Sequence, residues 1–226
     1  MYMDKYKRVS DLPRRIPVFP LRGILLLPRA TLPLNIFEPR YLAMIDEVLT
    51  GHRLLGIIQP SEKGEGESPE GKSSDVRRVG CVGRLTAYQE LDDGRVLITL
   101  SGITRFAIDH EAETPEPYRS FQVDYTPFSQ DLEAGSGEDD VDRDLLQTVL
   151  KAYLDNNKLG ADWRAIANAP TELLVNVLSV ISPFGSEEKQ ALLEAPTLKD
   201  RAEVLVALTE MELASNEGGS SGGRLQ

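Results

Sequence analysis

Three groups of residues in this chain have types and spacing that could do chemistry, and their neighbours decide what each can do. Gly66 to Ser73, GESPEGKS, satisfies the pattern G-x-x-x-x-G-K-[ST], in which backbone amides cradle a phosphate between a buried strand and a helix that starts at the lysine. Leu54 to Ile58 could supply the strand, but Glu62, Glu65, Glu67 and Glu70 would repel a triphosphate. The residues after Lys72, SSDVRRVGCVG, read as polar loop and then strand rather than helix. The segment is therefore expected to be a polar hairpin tip, and no nucleotide-binding residue is assigned to it. Cys81 is the only cysteine and lies among Val79, Val82 and Leu85, the setting of a small buried hydrophobe rather than a reactive thiol. A single cysteine also forbids an intramolecular disulfide, which argues against a secreted, stapled fold. His52 and His110 stand apart from it and from each other, so no metal site is expected. The carboxylates find no base or nucleophile either: Asp92 and Asp93 read as a turn, Glu138 to Asp140 as a solvated loop, and Glu38 with Arg40 as an ion pair or cap at a helix start. No catalytic residue and no cofactor is assigned.

The elements that hold these residues change character along the chain. From Ile16 to Gly51, Pro17, Pro20, Pro28 and Pro33 interrupt apolar runs every few residues, which suits short edge or crossing strands and excludes a long helix. Leu34, Ile36 and Glu38 alternate with Asn35 and Phe37 until Pro39, which suits the first position of a helix. Leu42, Ile45 and Leu49 follow at helical spacing, and Gly51 is the expected left-handed stop. From Val79 to Ile108, Leu85 and Ala87 alternate with Thr86, Asp93-Gly94 offers a turn, and Val96, Ile98 and Leu100 return with period two, a hairpin pattern. Gly102 and Arg105-Phe106 then lead toward another strand. After Ser129 to Asp140 the period becomes helical: Val141, Leu145, Val149 and Tyr153 line one stripe, with Gly160 as the expected end. Further helices fit Trp163 to Ala167, Pro170 to Ile181, Glu187 to Glu194, and Leu198 to about Leu213, the last with Thr197 and Asp200 as a capping box.

The two blocks Ile16 to Gly51 and Val79 to Ile108 together resemble the amino-terminal, substrate-binding domain of Lon proteases. There, too, a glycine and an arginine recur after the hairpin. The resemblance covers about Arg14 to Met211. It implies an α+β fold, with a strand-rich lobe of one helix similar to PUA-type pseudobarrels over residues 1–128 and an all-helical bundle lobe over 129–213. Residues 214–226, which end in NEGGSSGGRLQ, are expected to form a flexible tail. Lon proteases continue into an ATPase module and a peptidase with a serine and lysine pair, for which 226 residues leave no room. The expectation is a stand-alone, non-enzymatic recognition domain.

Charge separates the possible partners. Residues 1–125 hold 17 Lys or Arg against 18 Asp or Glu, and residues 126–226 hold 8 against 18, so the net −11 belongs almost entirely to the second half. Some PUA-like folds bind RNA, which makes nucleic acid the alternative partner, and a phosphate backbone needs a concentrated basic face. The one local excess, 9 basic against 5 acidic residues over 1–60, includes Arg14, Arg15 and Arg22 but no interleaved aromatic platform, so nucleic acid is disfavoured. The charged start, MYMDKYKRVSDLPRR, is no secretory signal, and no apolar run approaches a membrane span. A cytoplasmic protein with no membrane partner is expected. What the resemblance implies instead is recognition of unfolded or extended polypeptides, as an adaptor or competitor for protease clients, with a full-length Lon protease as a further candidate partner. Such recognition needs an exposed apolar ledge or a free strand edge. The apolar run Gly23 to Leu27 is the candidate ledge, with Ile24, Leu25, Leu26, Leu27 and Phe37 as candidate substrate-binding residues. Core packing is the alternative reading of the same residues.

Overall fold

The computed structural model describes residues 5–61, 76–156 and 163–220, so the phosphate-loop pattern Gly66 to Ser73 and the proposed helix stop Gly160 lie outside the described residues. Its strands form a mixed sheet and its remaining elements are helical, an α+β architecture.

Proline placement explains the first strand. In β1 (Arg15–Pro20), Arg15 to Pro17 pair antiparallel with β6 (Ser120–Asp124), and Val18 to Pro20 pair parallel with β3 (Leu54–Ile58). A strand that offers half its length to each neighbour tolerates two residues without an N–H. Pro33 sits in β2 (Thr31–Ile36), which pairs with β5 (Val96–Ala112) and stands at the end of the strand order. With β4 (Val79–Glu90), that order is β2-β5-β4-β3-β1-β6, and β6 returns to pair with β5, so the sheet closes on itself. The long β5 makes closure possible: Val96 to Ser101 pair with β2, and Ala107 to Ala112 pair with β6. The sequence suggested a separate strand after Gly102, but one 17-residue strand runs through it. Register shifts against β4 at Val82/Gly83 and Leu85/Ala87 bend it without a break. The expected hairpin is present, with Gly94 at φ +81° in its turn.

The helix α1 (Pro39–Thr50) starts at Pro39 as the sequence implies. Its stop differs. Gly51 has φ −99°, and the left-handed residue is Arg53 at φ +59°, whose N–H donates to the Val48 carbonyl. The chain thus makes one more turn before it enters β3. After 3-10 segments at Thr126–Leu132 and Glu138–Asp140 come α2 (Arg143–Asn156), α3 (Trp163–Asn168), α4 (Thr171–Ile181), α5 (Ser186–Glu194) and α6 (Leu198–Ser220). The Thr197 and Asp200 side chains cap each other's backbone N–H as expected. However, α6 passes its expected end at Leu213, so residues 214–220, assigned to a flexible tail, are helical. No glycine or proline interrupts the run from Leu213 to Glu217, and nothing local stops the helix there.

Two apolar clusters fill the interior. One lies inside the closed sheet, around Ile16, Val18, Val82, Ile103, Phe106 and Phe121. The other crosses from strands to helices: Leu32, Ile36, Met44, Ile45 and Leu100 share it with Leu174, Val175, Leu192, Leu193 and Leu205. The strand-rich and helical parts therefore share a core, despite the abrupt change in charge and period between them. The centre of that shared core is the apolar loop before β2.

Candidate functional site

That loop is the segment expected as a ledge, and the expectation fails for most of it. Leu25, Leu26 and Leu27 are 2%, 1% and 0% exposed, members of the shared cluster, while Ile24 is half-buried against it. The run lacks alternation because it is surrounded on all sides, and each leucine contributes about 2 kcal/mol by leaving water. Its backbone is satisfied by specific partners. Arg29 N–H donates to the Gly102 carbonyl, Gly102 N–H donates to the Ala30 carbonyl, and Asn176 Nδ2 of α4 donates to the Pro28 carbonyl, each at 2.9 Å. Gly102 has to be glycine for this contact, because a Cβ there would stand 2.0 Å from the Leu27 carbonyl oxygen.

Around the loop runs a polar seam that joins strands to helices. Arg105 of β5, fully buried, grips Asp131 in a bidentate pair at 2.9 and 2.8 Å, and its Nη1 donates to the carbonyls of Leu193 and Ala195 at the end of α5. Its guanidinium also lies 4.6 Å over the Phe128 ring. Arg201 of α6 donates to Leu192 O at 2.9 Å and to Asn176 Oδ1 at 2.8 Å, which carries the chain of bonds back to Pro28. Burial and the neighbouring Arg105 push Arg201 down to about 10, still protonated at neutral pH. Arg29 completes the seam, with Nε 2.7 Å from Glu172 and its Nη atoms on the carbonyls of Asp131 and Glu133. Glu172 in turn accepts Gly135 N–H, and Glu138 accepts the N–H of Glu172. Within Ser129 to Asp140, Asp139 and Asp140 are exposed, as a solvated loop requires, whereas Asp131, Glu133, Gly135 and Glu138 are tied into the seam, so the segment is a strap held by both parts. Among the seam residues the sequence singled out Arg105 and, as part of a solvated loop, Glu138. The pairs Arg201–Asn176, Arg105–Asp131, Arg29–Glu172 and Asn176–Pro28 lie 25 to 148 residues apart, and no local pattern marks them.

The remaining candidates for chemistry are not brought together. Cys81 is buried in β4, and desolvation pushes its thiol up, opposite to what a nucleophile needs. His52 and His110 are exposed. Glu38 and Arg40 form the expected surface ion pair at 2.8 Å, beside the Tyr41 ring. Among the described residues, no group of three His, Cys, Asp or Glu could hold a metal ion.

What stays open is the outer face of the three-stranded corner β2-β5-β4. Thr31, Pro33 and Asn35 face out while Leu32, Leu34 and Ile36 turn inward, and the alternation carries on to Phe37, which is 63% exposed. Across the ladder Asn35 pairs with Leu97, itself 39% exposed, and Leu97 pairs with Gln89; Pro33 pairs with Thr99 and Thr99 with Ala87. These six strand residues line a shallow concavity of about 480 Å³ that contains no formal charge. The far edge of β2 has no strand partner among the described residues, nor does the far edge of β4 beyond Arg84, where pairing with β3 ends. Phe37 is thus the candidate residue that the structure leaves on the surface. The signal for Leu97 was present in the hairpin period, which places it opposite the buried Val96 and Ile98.

Fold and surface together define an α+β module with a shared core, a buried polar seam and one open, uncharged sheet corner. The model of the ATP-dependent protease La (LON) substrate-binding domain matches residues 15–210, and the chain belongs to that family. It is similar to the Lon proteases of Flavobacterium johnsoniae (28% identity over 92% of this chain) and Parabacteroides distasonis (30% over 93%), and it spans about a quarter of the length of the curated relatives it matches. Among solved structures it is similar to the N-terminal domain of the Mycobacterium avium complex Lon protease, with a TM-score of 0.64 at 17% identity over 87% of this chain and 98% of that one. It is similar also to a Lon N-terminal domain protein from Xanthomonas campestris, with a TM-score of 0.58 at 20% identity over 85% and 97%. Among the described residues no helix is long and apolar enough to cross a membrane.

Proposed function

We propose that this chain is a non-catalytic, cytoplasmic polypeptide-recognition module that binds unfolded or extended segments and acts as an adaptor or competitor for protease clients, with a Lon protease as a further partner. The observation that carries this reading is the open β2-β5-β4 corner, where Leu97 lines an uncharged concavity and Phe37 stands exposed just past the end of β2, the strand with the free edge. An extended segment can use that edge for backbone hydrogen bonds and the concavity for alternate side chains. Pro33 shortens the available ladder, which favours brief, reversible engagement over permanent strand addition. A PUA-like reading of the closed sheet keeps RNA as the competing partner, although no basic residue lines the concavity.

Site-specific photocrosslinking tests the proposal. A photoreactive residue placed at Leu97 should capture a reductively unfolded model protein, whereas one at Ile181, also exposed and apolar but on α4, should not. Equal capture at the two positions would remove the sheet corner from the site. Recovery of RNA rather than protein at Leu97 from a mixture of both would favour the competing partner.

A further inference from the structure

The acidic half of the chain contains a second groove, with chemistry unlike that of the sheet corner. It runs between the start of α2 and one face of α6, with a volume of about 400 Å³. Val141, Leu145, Val206 and Ala207 supply apolar surface, and Leu145 is 43% exposed although it belongs to the apolar stripe of α2. Acids stand around this floor: Asp140 and Asp142 at one end, Glu203 and Glu210 along α6. Spacing explains the α6 side, since positions 199, 202, 203, 206 and 210 share one helical face. Lys199, the one cation lining the groove among the described residues, lies 3.9 Å from Glu203 and leaves the groove strongly negative.

Three acids of this half have well-defined internal partners. Asp131 holds Arg105, Glu172 holds Arg29, and Asp200 caps α6. By contrast, neither the Asp140 carboxylate nor the Glu210 carboxylate has an ion-pair or hydrogen-bond partner among the described residues. Four carboxylates around an exposed leucine repel acidic segments and attract cationic ones, and an apolar floor retains the side chains between the cations.

We propose that the α2–α6 groove is a docking surface for basic amphipathic polypeptide segments, Lys- or Arg-rich with apolar residues at helical spacing. The chain would then have two recognition surfaces, an uncharged one for extended segments and an acidic one for cationic segments. This surface stands independently of the sheet corner.

Fluorescence anisotropy with a labelled Leu/Lys amphipathic peptide and its Leu/Glu counterpart tests it. The Leu/Lys peptide should bind, weaken as salt rises from about 0.05 to about 0.5 M, and outcompete the Leu/Glu peptide. Glu203→Lys combined with Glu210→Lys should weaken it about tenfold, with thermal midpoint and crosslinking at Leu97 unchanged. Leu145→Ser should also weaken it, by about threefold. Salt-independent binding, or wild-type affinity in the double variant, would overturn the proposal. Loss in the charge variants with wild-type affinity in Leu145→Ser would reduce the effect to general attraction and overturn the groove as a site.

Discussion

The seam between strands and helices and the open sheet corner solve opposite problems with the same chain. In the seam, Arg105 and Arg201 are withdrawn from water, Arg29 is half-buried, and nearly every donor finds an acceptor, so the two parts of the molecule are locked at a fixed geometry. Only Arg201 Nη2 is left without a partner there. On the corner, Phe37 and Leu97 remain in water beside backbone edges without strand partners. The difference separates residues that specify architecture from residues free to meet a ligand. Arg105 and Gly102, which carry the resemblance to Lon domains, fall on the architectural side.

The largest expected effects come from the seam and the loop it encloses. Arg105→Ala leaves Asp131 buried without its cation and should cost about 3–5 kcal/mol in denaturant unfolding. A loss under about 1 kcal/mol would mean that the seam does not hold the parts together. Leu26→Asp buries an unpaired carboxylate and should lower the thermal midpoint by well over ten degrees, roughly the effect of several kcal/mol. An unchanged midpoint would place Leu26 on the surface and restore the ledge. Gly102→Ala forces β5 and the Leu27 carbonyl apart and should cost about 3 kcal/mol, read from the same unfolding curves. Smaller still is the effect at the strap: limited proteolysis should spare Ser129 to Asp140 in the wild type and begin to cut there in Arg29→Ala, which frees the carbonyls of Asp131 and Glu133. Early cutting of the wild type would contradict the strap.

Much of the architecture was legible in sequence because it is written in short-range patterns. The Asp93-Gly94 turn, the Pro39 helix start and the Thr197/Asp200 box each involve residues within a few positions of one another. Where the reading failed, a long-range partner decided the outcome. GILLL has no period because helices and strands enclose Leu25 to Leu27, and only the Asn176 and Gly102 contacts reveal that. Nothing in the polar run DLEAGSGEDD shows that Arg29 and Arg105 reach Asp131 and Glu133 from more than twenty residues away. Gly51 looked like a helix stop, yet the left-handed conformation fell on Arg53. The candidate site was half legible: alternation along β2 puts Phe37 outside, but its neighbour Leu97 is reached only through strand register.

The most direct test of the central claim is the capture of a reductively unfolded model protein by a Phe37→Ser, Leu97→Ser double variant, compared at equal concentrations of folded chain. Exposed apolar side chains contribute little to folding, so the thermal midpoint should stay within about two degrees of the wild type while capture falls at least about fivefold. Wild-type capture by this folded variant would contradict the assignment of the β2-β5-β4 corner as the recognition surface.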